Sequence, residues 1–349
     1  MIRMPRLAAA VLTGALAVGL MATTGGSASA APGDRTGGWL ESQLSGGLVH
    51  NDQYDIDDYG LTADTGIALA ELGGHRTALR AVRKALGANV GAWTTGGEPG
   101  GVYAGSTAKA IAFAQAVGAD PRSFGGTDLV VQLRGRVSTS APTTGRISDK
   151  STYGDYANTI GQAYAVGALS QAGSNRAGIA TRFLLQQQCA SGYFRLNFSA
   201  PTAKDQTCDG AAKADKARDT DATAIALIQL LSIEKPSANT RNAIAKAVRF
   251  LGLTQKSDGS FGGGPTTKAP NANSTGLAAW ALGDAGRCDA AHRAARWAAK
   301  LQFHGAVAYD GAALAAAKKD GITVEARDQW RRASSQAAPG LRTLASCAS

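Results

Sequence analysis

Two carboxylates stand two residues apart in Asp219-Thr220-Asp221-Ala222-Thr223-Ala224, at the start of an apolar run. Paired carboxylates there suit acid–base chemistry, or they complement the positive end of a helix. A denser cluster, Asp55-Ile56-Asp57-Asp58, offers hard oxygen ligands to a cation or forms a solvated acidic loop. Asp64 and Asn273 lie beside the starts of two other apolar runs. Trp93, Tyr103, Tyr153, Asp155 and Tyr156 combine aromatic surface with polar groups, the composition of a small-molecule pocket. With Asp57, Asp58, Asp64 and Asn273 they form the expected ligand-binding set. Phe194 and Phe261 instead belong to a structural repeat.

Other chemistries lack their residues. The histidines are His50, His75, His292 and His304, and none pairs with a cysteine at zinc-ligand spacing. No metal site is expected, and no cofactor is assigned. The Gly-Cys-Gly-Glu-Gln thioester, Gly-x-Ser-x-Gly and phosphate-loop motifs are absent from the sequence.

A repeat must position these groups. Gly-x-hydrophobic recurs at Gly47-Leu48-Val49, Gly91-Ala92-Trp93, Gly145-Arg146-Ile147, Gly192-Tyr193-Phe194, Gly259-Ser260-Phe261 and Gly305-Ala306-Val307. A period near 50 residues marks a repeat architecture. After each copy comes a hydroxyl residue expected to cap a helix: Thr65, Thr107, Thr159, Thr223, Thr275 and Ser335. The helices that follow, such as Gly66-Ile67-Ala68-Leu69-Ala70, are apolar all round and must be buried all round. The helices before each copy have one apolar face, as in Leu79, Val82 and Leu86 opposite Arg76, Arg80, Arg83 and Lys84. Six buried helices alternating with six one-faced helices predict an all-α fold, an α6/α6 toroid with inner and outer rings. Its helix starts should share one rim carrying unsatisfied amide donors.

Four cysteines suggest two disulfides in an exported chain. The repeat alignment pairs Cys189 with Cys208 and Cys288 with Cys347. Arg3 and Arg6, the apolar run Leu7 to Leu20, and Ala28-Ser29-Ala30 read as a secretory signal peptide over residues 1–30. Residues 31–349 then form one toroid domain, secreted or extracytoplasmic and not membrane-spanning. The formal charge of +10 is dispersed along the chain. That argues against a nucleic-acid partner and allows attraction to an anionic cell envelope.

The segment Gln255-Lys256-Ser257-Asp258-Gly259-Ser260-Phe261-Gly262 resembles the Gln-rich, aromatic-ended repeat of squalene and terpenoid cyclases. Gln188 to Phe194 repeats the frame, and Gln43 to Val49 does so more faintly. About 300 residues are similar to the α/α-toroid superfamily of terpenoid cyclases, protein prenyltransferase β-subunits and cobalamin-binding carriers. Asp219 to Ala222 resembles the Asp-x-Asp-Asp motif of class II cyclases. The resemblance implies that Asp221 donates a proton beside Asp219, although Ala222 replaces the last aspartate. The leading expectation is an exported toroid binding a hydrophobic or corrinoid small molecule, with binding favoured over catalysis and the question of an enzyme left open. The alternatives are a terpenoid-cyclase or prenyltransferase type of enzyme, and a structural protein of the cell envelope.

Overall fold

The computed structural model describes residues 30–347 of the protein. The Leu7–Leu20 run and the residues after it up to Ser29 lie outside the described residues. In chain order the elements are α1 (Pro32–Ser42), β1 (Leu44–Ser45), β2 (Leu48–Asn51), β3 (Ile56–Asp57), α2 (Tyr59–Leu72), α3 (Arg76–Ala88), α4 (Val90–Thr95), α5 (Ala104–Ala116) and α6 (Leu129–Arg134). There follow α7 (Thr159–Gln171), α8 (Ala177–Gln186), α9 (Thr220–Leu231), α10 (Ala238–Thr254), α11 (Ala272–Asp284), α12 (Cys288–Ala299), β4 (Gln302–Phe303), β5 (Ala306–Val307), α13 (Gly311–Asp320), α14 (Val324–Leu341) and α15 (Thr343–Ser346).

Helices α2, α5, α7, α9, α11 and α14 pack each on the next, and α14 packs back on α2. The inner ring is therefore closed. Helices α1, α3, α6, α8, α10 and α12 flank it as the outer ring, and the fold is an α/α toroid. The apolar pattern explains which helix goes where. In α7, ten of thirteen residues are buried, whereas α3 buries only Val82 and Leu86 and exposes Arg76, Arg80, Arg83 and Lys84.

Three local contacts repeat around the ring. The repeat glycines at 47, 145, 192, 259 and 305 press their backbones on carbonyls of the next outer helix: those of Ala81, Ile179, Lys246, Arg293 and Arg35. At Gly192 φ is +99°, a region that disfavours a side chain. The hydrophobic residue two positions later donates its amide to an inner-helix side chain. Val49 reaches Thr62, Ile147 reaches Gln162, Phe194 reaches Thr223, Phe261 reaches Thr275 and Val307 reaches Ser334. Finally, Gln188 and Gln255 each donate both to their own glycine carbonyl and to the next outer helix, at Ala243 O and Ala290 O. The glutamine, the glycine and the aromatic of the repeat are thus one hydrogen-bonded corner.

This geometry corrects the expected caps. The inner helices are capped by Asp58, Asn158, Asp219, Asn271 and Thr323, while Tyr103 before α5 makes no side-chain cap. Thr107, Thr223 and Thr275 lie four residues after their caps, inside the first turns. Thr62 and Gln162 occupy the same place in α2 and α7, so Thr65 falls deeper in its helix and Thr159 falls at the first helical residue. Ser335 is well inside α14. Gly91 also departs from expectation: Gly91-Ala92-Trp93 forms part of α4 instead of a glycine loop.

Disulfides join Cys189 to Cys208 and Cys288 to Cys347. The first pins the segment that lengthens the fourth repeat. Fully buried Arg195 also holds that segment, donating to Gln187 Oε1, Ser199 Oγ and Gln206 O. Among the described residues no helix is long and apolar enough to cross a membrane.

Candidate functional site

Counting from the N-caps places the inner-helix residues in layers along the toroid axis. Two residues after the cap stand Gly60, Gly105, Ile160, Asp221 and Asn273. Six residues after it stand Asp64, Lys109, Tyr164, Ile225 and Leu277. These offsets differ by one helical turn, so the residues share one face.

A funnel follows that axis. At the helix-start rim a pocket of about 270 Å³ is lined by Trp93, Tyr103, Lys109, Asp149, Tyr156 and Tyr164, among others. Below it a cavity of about 260 Å³ touches all six inner helices, with Asp64, Ile225, Leu277, Trp280 and Arg332 in its wall. Lys109, Ile160 and Tyr164 belong to both. Farther along lies a chamber of about 430 Å³ that adjoins the cavity, with Ile67, Tyr164 and Trp280 lining both. Tyr164 lines all three compartments.

An ion pair within the lining joins the two compartments' walls. Lys109 Nζ lies 2.8 Å from Asp64 Oδ1 and 5.7 Å from the centre of the Tyr164 ring. Burial works against the lysine charge, but Asp64, Tyr164 and Asp58 together more than offset it and the Lys109 pKa is raised. Burial pushes the Tyr164 hydroxyl up to about 12, so it stays a neutral hydrogen-bonding group. Asp149, at the rim, accepts from the amides of Ala104 at 2.7 Å and Tyr156 at 3.0 Å. It thereby supplies the cap that Tyr103 cannot, and burial raises its pKa.

The residues expected from sequence divide into groups. Trp93, Tyr103 and Tyr156 meet in the rim pocket and Asp64 in the cavity beneath. Tyr103 Oη is 3.1 Å from Ser151 Oγ, and Tyr156 donates to Tyr153 O. Tyr153 points to solvent, 72% exposed. Asp155 braces the loop, accepting from Arg146 and from the Asp149 amide. The acidic cluster divides: Asp55 and Asp57 both approach His50, while Asp58 caps α2 and pairs with Arg332. Asp58 is thus the helix cap itself, seven residues before Thr65, the cap expected from the repeat alignment. Lys109 and Asp149 escaped sequence reading. Lys109 is the one charged residue in the otherwise neutral Ala104–Ala116 helix, a signal that was present.

Asp219 caps α9 through the Ala222 amide at 2.8 Å and is buried. Asp221 follows in the first turn with Oδ1 buried and unpartnered. Burial raises its pKa to about 6, against the pull of the nearby Ser274 hydroxyl, and the Asp219 charge adds to the rise. The backbone of Gly263 and Gly264 roofs both carboxylates so closely that a Cβ on Gly263 would stand 2.5 Å from Asp221 Oδ2. Asp221 lines none of the three compartments.

No protein-family model matches this sequence, and no curated protein matches it. Solved structures do. The apo type II terpene cyclase MstE from Scytonema superposes with a TM-score of 0.64 at 16% identity, over 90% of this chain and 98% of that one. The R337A variant of that cyclase, in complex with geranylgeranyl dihydroxybenzoate, gives 0.63 at 15% identity, over 90% and 97%. An unsaturated glucuronyl hydrolase specific for heparin gives 0.62 at 11%, over 90% and 95%. Proteins of such different chemistry share the architecture and little sequence, so the likeness establishes that this chain is an α/α toroid and leaves its function to the site.

Proposed function

We propose that the protein is an exported toroid that takes a slender, largely apolar small molecule into its axial funnel, with a polar end held by Lys109 and Asp64. The observation that carries this reading is the sharing of Lys109, Ile160 and Tyr164 between rim pocket and central cavity, so that the two compartments adjoin along the axis. Their walls are aromatic and aliphatic apart from a few convergent polar groups, the usual build of a ligand site. The narrow compartments favour a linear molecule over a broad corrinoid. The two disulfides support an oxidising compartment, and with it the assignment of residues 1–30 as an export signal.

The test is native mass spectrometry with a series of prenyl alcohols. Retention of one stoichiometric ligand is expected, and its loss on Ile160→Trp, which enlarges a side chain that both compartments share. Binding undiminished by that substitution would exclude the funnel.

A second reading, a cyclase-type enzyme, draws on Asp221, whose unpartnered oxygen and raised pKa suit a proton donor. The solved type II terpene cyclase with its geranylgeranyl substrate supports it at the level of fold. Against it, Asp221 lines neither compartment of the funnel, and Gly263 and Gly264 lie close against the two carboxylates. Incubation with prenylated aromatic substrates decides: cyclised product lost in Asp221→Asn supports the enzyme, and no turnover supports the binding protein.

A further inference from the structure

The chamber at the far end of the axis has a chemistry unlike the funnel's. Thirteen residues after the N-caps, the inner helices place Glu71, Ala116, Gln171, Ser232 and Asp284, and all five line this space of about 430 Å³. Its only charged wall residues are Glu71 and Asp284.

The five helices α2, α5, α7, α9 and α11 end here, and none has a basic residue in its last turn. Helix carboxyl ends carry partial negative charge, so their fields add to those of the carboxylates. One guanidinium, Arg342, pairs with both Glu71 and Asp284. With both acids ionised, one negative charge remains in excess. A chain with formal charge +10 thus keeps a negative pocket on its axis.

One further group points to an occupant. Gln115 Oε1 lines the chamber, buried and unpartnered. Trp280, 8% exposed, also lines it, with its indole N–H turned toward Asp284 but in no hydrogen bond of normal geometry. Buried polar atoms normally find partners, so an acceptor left open on a cavity wall marks a place for a ligand. The Tyr164 and Trp280 rings and the Ile67, Ile228 and Leu231 side chains supply the apolar remainder. Aromatic faces attract cations as well as hydrocarbon.

We propose that this chamber binds a small organic ammonium ion with an apolar arm, the ammonium group meeting Glu71, Asp284 and Gln115 Oε1 and the arm lying against Trp280 and Tyr164. Glu71, Asp284 and Gln115 line no part of the funnel, so the proposal does not depend on the identity of the funnel ligand.

Calorimetric titration of the full-length purified protein with n-butylammonium chloride, against n-butanol, tests it. Saturable binding of the ammonium ion is expected, with the alcohol at least tenfold weaker and Glu71→Gln weakening the ammonium about tenfold. Ile160→Trp, in the funnel, should leave this binding unchanged, which separates failure here from failure of the funnel reading. The Trp280 indole resonance, assigned with Trp280→Phe, should shift in wild-type protein on titration, a readout that needs no carboxylate variant to fold. Equal affinity for alcohol and ammonium, or a Trp280 resonance that stays fixed at saturation, would overturn the proposal.

Discussion

Gly305 lies against the carbonyl of Arg35 so tightly that a Cβ on the glycine would stand 2.6 Å from that oxygen. The contact joins the last repeat corner to the first outer helix, and Gln302 reinforces it by donating to Pro32 O and Thr36 Oγ1. The same corner recurs inside the ring, as between Gly192 and Lys246. Here alone it joins residues 270 positions apart, and so it closes the circle.

Gly305→Ala should therefore cost on the order of 3 kcal/mol, from the φ of +90° and the clash together. Gly321 is the control. Its φ is +77°, but a Cβ there meets nothing within 4 Å, so Gly321→Ala should cost only about 1 kcal/mol. Equal losses in urea denaturation would show that ring closure does not depend on the close approach.

The repeat glutamines make a second expectation. Gln255→Leu removes the donor shared by Gly259 O and Ala290 O, whose bonds are 3.1 and 2.8 Å long. Leaving those carbonyls without the donor should cost about 2 kcal/mol. A Gln188→Leu variant should lose a similar amount, since Gln188 serves Gly192 O and Ala243 O in the same way. If one variant is neutral while the other is damaged, the two corners are not equivalent.

How much of this was legible in the sequence depends on the residue. The inner and outer rings were legible, because apolar-all-round and one-faced helices need different burial. The helix starts were not. Threonine suits both an N-cap and the position four residues on, where Thr223 and Thr275 accept a loop amide instead. Pattern alone does not separate these uses: Asp219, an actual cap, reads as half of a carboxylate pair, and Asn271, another, carries no mark beside Asn273. Once the register is wrong by a turn, the layers that bring Lys109 to Asp64 and Glu71 to Asp284 are invisible. Ser335 misled for another reason: α14 opens with a polar stretch, Glu325 to Arg332, so its apolar part begins far inside the helix.

The Lys109–Asp64 pair should behave as a unit. Lys109→Met alone leaves a partly buried carboxylate without its cation, with a cost of about 3 kcal/mol. Lys109→Met with Asp64→Leu should return to within about 1 kcal/mol of wild type, because the lumen then loses both charges together. A double variant as damaged as the sum of the singles would mean that the two groups serve separate partners. Under the proposed function, the double variant should also bind purely apolar ligands better and polar-ended ones worse.

Asp221 gives the pH dependence. Its folded-state pKa is raised from 3.8 to about 6 by burial, so the folded chain holds this proton more tightly than the unfolded chain. The stabilisation is fully present below the unfolded value and is lost as pH rises through the folded one. Wild-type stability should therefore fall between about pH 4 and pH 7 by an amount on the order of 2 kcal/mol attributable to this group. Asp221→Asn removes the titration while keeping the side-chain shape beneath the Gly263 roof. The variant should match wild type near about pH 4 and exceed it near about pH 7.5. Asp219→Asn provides the contrast, since asparagine caps a helix as well as aspartate does and the neighbouring Asp221 remains. Wild-type and Asp221→Asn stability curves running parallel across that range would show that Asp221 ionises without cost, and the acid role would lose its physical basis.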